Sequence, residues 1–259
     1  MTAPTFLGSS VRPCTLGHVS VDGDQVLVIV PALNEAATVG DVVAAIRASA
    51  DWDVLVIDDG SVDDTAAVAV ASGASVAVHP VNLGVGAAIR TGFRFAAEHG
   101  YRTVVQVDAD GQHDVDSVAA ILAPVLAGEA DLVVGSRFAA GYELSRSRAL
   151  GMRLLSAVVS RRIGQRIDDT TSGFRSFGAA AVDRFSFEYP SEYLSDTVEA
   201  LLLAHASGLR ILERPVTMHQ RAGGTASTGF VRSAYHLVRV LLVVLLYPIR
   251  SERSRRRGA

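Results

Sequence analysis

Five short apolar runs, each rich in valine, recur along the first half of the chain and are separated by alanine-rich stretches. The runs occupy residues 26–30, 54–57, 75–78, 103–107 and 131–134. Runs of this length and composition are typical of strands that are buried on both faces of a parallel sheet. The stretches between them have the apolar spacing of helices, at 36–49, 65–72, 86–99 and 115–126. This alternation predicts an α/β fold with a mostly parallel sheet flanked by helices.

The second half of the sequence is less regular. Its spacing predicts helices over 149–163 and 196–207 and strands over 172–177 and 211–218. Residues 1–23 lack the basic start and long apolar stretch of a secretory signal, and we interpret them as a flexible N-terminal extension. We therefore predict a single domain over 24–227, followed at 228–259 by a C-terminal apolar, amphipathic helix and a basic tail.

Composition limits the chemistry that this chain can perform. With 259 residues, 49% apolar and 20% charged, it has enough apolar sequence for a sizeable core. Its net charge of −3 gives no overall attraction to nucleic acid. All 24 basic residues are arginine, so any phosphate clamp must be built from arginine. The single cysteine, Cys14, excludes an internal disulfide and fits a reducing compartment.

Two acids separated by one residue follow the fourth apolar run. Asp108 and Asp110 would project to the same face of an extended chain, where their oxygens suit Mg²⁺ or Mn²⁺ and hence a phosphate-bearing substrate. The alternative is a turn that uses acids for local hydrogen bonds. The other predicted strand ends also carry polar side chains: Asn34, Glu35, Asp58, Asp59, His79, Asn82, Ser136 and Arg137. Because ligands of open α/β sheets bind beyond the carboxyl ends of the strands, we expect one shared cleft there.

The polar motifs, taken in order, resemble those of family 2 glycosyltransferases of the GT-A fold. They read PALNE at 31–35, VIDDGSVDDT at 56–65, NLGVG at 82–86, DADGQH at 108–113, GSR at 135–137 and TSGFR at 171–175. The subgroup they resemble is the dolichol-phosphate mannosyltransferase-like enzymes, which load a sugar onto a polyprenyl phosphate. The similarity runs from about residue 26 to 227 and implies a GT-A fold with a Rossmann-like sheet.

The resemblance implies a metal-dependent, inverting transfer of a hexose to a polyprenyl or dolichyl phosphate. The donor would be a nucleotide-diphosphate sugar of the GDP-mannose or UDP-glucose type. An alternative is transfer to a hydroxyl of a glycan or small molecule, for which Asp196 or Glu199 would be the general base. A non-catalytic scaffold that binds a nucleotide or a lipid is a second class of function.

The resemblance also assigns roles to individual residues of this sequence. The nucleotide-sugar contacts would be Pro31, Leu33, Glu35, Ile57, Asp59, Gly86, Asp108, Ala109, Asp110 and Arg221. Catalytic roles would fall on Asp108, Asp110 and Arg137, and the ligands of Mg²⁺ or Mn²⁺ would be Asp110 and Gln112. The acceptor phosphate would contact Ser136, Arg137 and Arg148.

The C-terminal segment suggests where the protein works. Residues 230–249 have the pattern of an apolar helix, and five arginines follow it between 250 and 257. Such a helix with a basic tail suits an anionic membrane surface, so we expect a cytoplasmic protein held peripherally at the inner face of the membrane. A membrane-protein partner or a homo-oligomer would fit the same segment, and the alternative is a helix packed on the domain.

Overall fold

The computed structural model describes residues 5–7, 25–114, 116–137, 146–190 and 196–217, together with the single residues 240, 242 and 244. Its strands are β1 (Thr5–Leu7), β2 (Val26–Ala32), β3 (Asp53–Asp58), β4 (Ser75–Val78), β5 (Thr103–Gln106), β6 (Leu132–Ser136), β7 (Arg175–Phe177) and β8 (Ile211–Pro215). Its helices are α1 (Val39–Ser49), α2 (Thr65–Ala71), α3 (Val85–Glu98), α4 (Asp116–Leu126), α5 (Arg146–Ile163), α6 (Ala179–Phe187) and α7 (Asp196–Ala206).

The described strands form one mixed sheet in the order β1-β4-β3-β2-β5-β7-β6-β8. β2 pairs in parallel with β3 on one side and with β5 on the other, so the chain changes direction across the sheet at β2. A crevice opens at such a switch point, outside the carboxyl ends of the strands. β7 is antiparallel to both of its neighbours, β5 and β6, so its amino end lies at the same edge as their carboxyl ends.

Alternating side chains divide the core between the two faces of the sheet. Ile29, Leu55 and Val104 pack with residues of α3, α5, α6 and α7 on one face. Val28 and Val56 pack with residues of α1, α2 and α4 on the other. Each central strand is therefore covered on both sides, which is why its sequence is apolar without alternation.

The structure confirms the predicted α/β class and the five valine-rich strands. Two elements had not been predicted: helix α6, and strand β1, which pairs with β4 at the sheet edge and comes from the predicted flexible extension. Strand β7 is shorter than the predicted 172–177 and begins at Arg175, whose guanidinium donates to the backbone carbonyl of Ser172 in the preceding loop. The predicted strand over 211–218 ends at Pro215.

Two of the three described residues of the C-terminal segment, Val240 and Val244, are buried on the domain, whereas Leu242 is 52% exposed. Val240 and Val244 belong to the same core cluster as α5, and Arg162 donates to the carbonyl oxygen of Val244 at 3.1 Å. This packing corresponds to the alternative that the sequence left open. The rest of the predicted interfacial helix and the arginine tail lie outside the described residues. Among the helices that are described, none combines the length and apolar character required to cross a membrane.

Helix α6 offers a matched test of the core. Phe185 has no exposed surface and lies 5.4 Å from the ring of Phe93, whereas Phe187 on the same helix is 80% exposed. We expect Phe185→Ala to lower the free energy of unfolding by about 3–5 kcal/mol through loss of apolar contact and a residual cavity. Phe187→Ala should change it by less than about 0.5 kcal/mol. Urea unfolding followed by circular dichroism measures both, and equal effects would contradict this packing.

Candidate active site

The acidic loop after β5 lies at the crevice. Asp108 has a side chain that is 40% exposed, and Asp110 is partly buried. The loop turns at Gly111, whose φ of 71° is in the left-handed region that glycine adopts without strain. The backbone N–H of Gln112 donates to Oδ1 of Asp110 at 3.0 Å. The two predicted acids therefore lie on one short turn beyond the end of β5, not within the strand. The hydrogen bond from Gln112 to Asp110 is the local turn contact that the sequence left open as the alternative.

His113 holds this loop in place from the buried side. Its ring stacks on Phe174 with centroids 4.6 Å apart, and its Nδ1 accepts the backbone N–H of Asp108 at 3.1 Å. Since Nδ1 is an acceptor, the ring proton is on Nε2, which lies 3.8 Å from Oδ2 of Asp108. His113 thus packs the loop and positions Asp108.

The donor set at this loop suits a divalent cation that is shared with a substrate. Asp108, Asp110 and Gln112 supply two carboxylates and an amide oxygen, the hard ligands that Mg²⁺ and Mn²⁺ prefer. Within the residues that the structure describes, no group of three or more His, Cys, Asp or Glu side chains is arranged to hold a metal alone. Mg²⁺ commonly uses one or two carboxylates and completes its shell with water and substrate phosphates.

The loops after β2 and β3 are joined to each other by reciprocal hydrogen bonds. Asn34, with a φ of 55°, accepts the backbone N–H of Val62 through its Oδ1, and its own N–H donates to Oγ of Ser61, both at 2.9 Å. The N–H of Glu35 donates to Oγ1 of Thr65 at 2.9 Å. Asparagine tolerates this left-handed conformation better than most residues. The shared bonds fix the edge of the crevice on the β3 side.

Asp58 and Asp59, at the end of β3 and just beyond it, are both buried and both hold backbone. Oδ1 of Asp58 accepts the N–H of Ser61 at 2.9 Å, which closes the β3–α2 loop. The carboxylate of Asp59 accepts the backbone N–H groups of Leu83 and Gly84, the latter at 2.7 Å. Asp59 therefore ties the β4–α3 loop to the end of β3, an arrangement that its sequence motif does not reveal.

Arg137 is held in place by a buried carboxylate. Its Nε donates to Oδ2 of Asp169 at 2.8 Å, and its Nη2 donates to Oδ1 at 3.1 Å, a bidentate geometry. Nη2 also donates to Oγ1 of Thr171 at 2.8 Å. Asp169 has no exposed surface, whereas the side chain of Arg137 is 23% exposed. The pair fixes the guanidinium at the end of β6 and leaves part of its surface facing solvent.

A second arginine, Arg175, lies entirely inside the protein at the start of β7. Its guanidinium donates to the backbone carbonyls of Ser172, Thr197 and Thr170, at 2.8, 2.9 and 3.2 Å. Burial lowers the pKa of this group. These bonds connect the loop before β7 to the first turn of α7, so the two segments that flank Asp108 share one anchor.

Buried polar groups surround this anchor beside Asp108. Gln106 lies opposite Arg175 in the ladder, and within the described part of the chain its Oε1 and the hydroxyl of Tyr189 have no hydrogen-bond partner. Burial raises the pKa of Asp196 to about 6, and the negative charge of Asp108 adds to the effect. Burial also raises the pKa of Tyr189. Perturbed titratable groups at a crevice are typical of functional sites.

Gly173 brings the backbone before β7 against the acidic loop. A Cβ at this position would lie 3.2 Å from both carboxylate oxygens of Asp108 and 3.1 Å from Nε2 of Gln106. Any larger residue would press on Asp108, so this close approach explains the glycine of the TSGFR motif.

The residues that the sequence predicts to contact the nucleotide differ in how much of their surface is exposed. Leu33 is 38% exposed and Glu35 is partly exposed. Three others are buried: Pro31, Gly86 and Ala109. The side chain of Ile57 has no exposed surface and belongs to the core, because alternation along β3 turns it toward α3.

The predicted acceptor residues are only partly described. Ser136 is buried at the end of β6, next to Arg137. Arg148 lies on α5, but its side chain and the whole of Arg221 fall outside the described residues. Sequence reasoning missed the structural roles of Arg175 and Tyr189. The sequence signal for this cluster is Gln106, a polar residue at the end of the otherwise apolar run of β5.

Comparisons with known proteins identify a family and several relatives of this chain. Residues 27–189 match the model of the family described as Glycosyl transferase family 2. The chain is 32% identical to an undecaprenyl-phosphate mannosyltransferase of Micrococcus luteus, over 81% of this chain and 90% of that protein. It is 29% identical to a UDP-N-acetylglucosamine–dolichyl-phosphate N-acetylglucosaminyltransferase of Methanococcus voltae, over 77% and 89%.

A solved structure shares the fold. Glucosyl-3-phosphoglycerate synthase from Mycobacterium tuberculosis, in complex with Mn²⁺, UDP and phosphoglyceric acid, superposes with a TM-score of 0.68 at 22% identity. The match covers 86% of this chain and 78% of that one.

The raised pKa of Asp196 predicts a pH-dependent stability. Its folded value of about 6 exceeds the roughly 3.9 of an unfolded aspartate. Its contribution is therefore complete below pH 4 and is lost as the pH rises through 6. Asp196→Asn removes this dependence, so we expect the variant to gain up to about 3 kcal/mol relative to the wild type between pH 4 and pH 7.

Urea unfolding at a series of pH values measures this difference. Asp183→Asn on α6, where the side chain is exposed, is the control for removing one negative charge. A constant difference between Asp196→Asn and the wild type across this range would contradict the burial of the carboxyl group.

Proposed function

This chain belongs to glycosyl transferase family 2, in its dolichol-phosphate mannosyltransferase-like subgroup, and we propose that it transfers a hexose from a nucleotide-diphosphate sugar to a polyprenyl phosphate. The transfer would invert the anomeric centre and depend on Mg²⁺ or Mn²⁺. We also propose the division into an N-terminal extension at 1–23, a catalytic domain at 24–227 and a C-terminal segment at 228–259.

The observation that carries the proposal is the open acidic loop at the switch point of the sheet. Asp110 and Gln112 would hold the cation, with Asp108 beside them near the ribose and diphosphate. When bound, a divalent cation offsets the negative charge that develops on a departing nucleoside diphosphate. The solved structure with Mn²⁺ and UDP supports this assignment by analogy of fold.

The donor nucleotide would lie across the ends of β2, β3 and β5. The proposed contacts beyond the acidic loop are Pro31, Leu33, Glu35, Ile57, Asp59, Gly86, Ala109 and Arg221. For Ile57 the contact would be made by backbone, since its side chain fills the core. Leu33, Glu35, Asp59 and Ala109 lie beyond the ends of their strands, whereas Pro31 lies in β2 and Gly86 in the first turn of α3. Arg221 would contact the diphosphate.

Arg137 is the proposed ligand of the acceptor phosphate, with Ser136 and Arg148. Asp169 orients its guanidinium, so little conformational freedom remains to be lost on binding. A phosphate monoester has its second pKa near 6, so at neutral pH it is already a nucleophile and needs no general base. Relatives named for undecaprenyl and dolichyl phosphates support this acceptor.

A lipid acceptor implies contact with a membrane. Helix α5 carries five arginines and no acidic residue, and its Leu150 and Leu154, one turn apart, are exposed. Cations near an anionic bilayer contribute about 1 kcal/mol each. We therefore propose a cytoplasmic protein that binds the inner face of the membrane through anionic lipids, alone, as a homo-oligomer or with a membrane-protein partner.

A second candidate is transfer to a hydroxyl of a glycan or small molecule. A hydroxyl needs a general base, and a carboxyl group whose pKa is about 6, like that of Asp196, is well matched to this task near neutral pH. Glu199, one turn further along α7, is also buried. The buried carboxyl group is the observation that favours this candidate.

Replacing one proposed metal ligand tests the centre of the proposal. Asp110→Asn should lower the Mn²⁺-dependent release of nucleoside diphosphate at least about a hundredfold, because the cation loses a charged ligand. The melting temperature should stay nearly unchanged, since Asp110 lies on an open loop. Asp116→Asn, on the exposed first turn of α4, is the matched control. Equal activity of the Asp110→Asn variant and the wild type would contradict the metal assignment.

The two classes of acceptor, lipid phosphates and hydroxyl compounds, are compared by offering each to the enzyme with the same donor. We expect product with polyprenyl phosphate and none with a glycan or with the dephosphorylated polyprenol. Arg137→Ala should raise the KM for the lipid phosphate at least about tenfold, with a smaller effect on the donor KM. Turnover with the polyprenol or glycan but not with the phosphate would favour the hydroxyl candidate.

A further inference from the structure

The side chain of Glu213, on strand β8, holds two successive backbone N–H groups of a neighbouring loop. Its Oε1 accepts the N–H of Asp169 at 2.7 Å, and its Oε2 accepts the N–H of Asp168 at 2.9 Å. Hydrogen bonds to an ionised carboxylate are among the stronger ones in proteins. Glu213 therefore fixes the backbone of the residue whose side chain binds Arg137.

Asp169 is thus fixed at both its backbone and its side chain. Its carboxylate accepts Nε of Arg137 at 2.8 Å and Nη2 at 3.1 Å, and it has no exposed surface. In the parallel pairing of β6 with β8, Glu213 lies opposite Val134, three residues before Arg137. A series of direct contacts therefore runs from Glu213 through Asp169 to the guanidinium.

The loop before Asp169 has anchors of its own. The backbone N–H of Ile167 donates to Oγ of Ser160 on α5 at 2.9 Å. The side-chain amide of Gln165 donates to the carbonyl oxygen of Ile211 at 2.9 Å. Neither bond involves the carboxylate on β8, so its removal should disturb chiefly the two residues that it holds.

A carboxylate at this position has a geometric use that offsets its electrostatic cost. It adds a third acid beside Asp168 and Asp169, and like charges repel. Arg166 offsets part of this repulsion, since it lies 2.8 Å from Oδ1 of Asp168 and also interacts with Glu213. Two oxygens in one plane hold both N–H groups, and so fix the peptide unit that joins Asp168 to Asp169. A neutral amide has only one acceptor oxygen and cannot accept at both positions.

We propose that Glu213 is a positioning residue for the acceptor phosphate, because it fixes Asp169 and thereby the orientation of the Arg137 guanidinium. It does not touch the substrate. It limits the freedom of the arginine before binding, which reduces the entropy that binding would otherwise cost. The inference rests on the proposed function, in which Arg137 contacts the lipid phosphate, and it predicts an effect on the acceptor but not on the donor.

Steady-state kinetics of the full chain with polyprenyl phosphate test the inference. We expect Glu213→Gln to raise the KM for polyprenyl phosphate at least about fivefold and to change the donor KM by less than about twofold. Glu129→Gln is the matched control: its carboxylate is exposed, lies 3.9 Å from Arg214 of the same strand, and should leave both KM values unchanged. Circular dichroism checks that each variant is folded.

A double-mutant comparison separates positioning from a general loss of structure. In the Arg137→Ala background, Glu213→Gln should change the acceptor KM by less than about twofold, because the glutamate acts only through the arginine. Equal effects with and without Arg137 would overturn the inference. Glu213→Asp, whose shorter side chain withdraws the carboxylate from the two N–H groups, should give the same pattern and serves if Glu213→Gln does not fold.

The wild type separates this inference from the function on which it rests. If the wild type converts polyprenyl phosphate and Glu213→Gln keeps its acceptor KM, the positioning role is wrong and the proposed function stands. If the wild type does not convert polyprenyl phosphate, both are wrong.

Discussion

The buried guanidinium of Arg175 is the interaction on which the arrangement of the candidate site depends. It makes no close ion pair among the described residues and is held by three backbone carbonyls. Leaving a charge unsolvated inside a protein costs several kcal/mol, so those carbonyls must stay in place while the protein is folded. They belong to the loop before β7 and to the first turn of α7. The two segments beside Asp108 therefore keep a fixed separation.

The same buried charge organises the electrostatics around it. Asp196 and Asp169 lie near enough to Arg175 to interact with it, and so does Asp108. Burial nevertheless dominates at Asp196 and raises its pKa, whereas Asp169 accepts two side-chain hydrogen bonds and one backbone hydrogen bond from Arg137. The two carboxylates therefore lie in different environments. Asp169 is paired with Arg137 in a bidentate geometry, whereas Asp196 is mainly desolvated by burial.

Much of the fold and part of the site could be predicted from the sequence. The valine-rich strands could be recognised because both faces of each are covered. Asp108 and Asp110 could be found as acids that follow an apolar run, but the strand ends at Gln106, so a turn and not the period of the strand sets their positions. The pairing of Arg137 with Asp169 could not be predicted, since 32 residues separate them and each is plausible alone. The contacts of Asp59 were equally hidden, because two of its donors are backbone N–H groups without a side-chain signature. Short elements such as β1 carry too few residues for a periodic pattern.

The reversed direction of β7 separates the molecule into two contiguous halves. Residues 25–107 supply the strands on the side of Asp59, and residues 116–217 supply Arg137, Arg175 and Asp196 on the other. Because β7 lies between β5 and β6, the seam between the halves runs along one antiparallel ladder. Both core clusters nevertheless contain residues of the two halves. Neither half therefore buries its apolar surface without the other, and the crevice between them forms only in the intact domain.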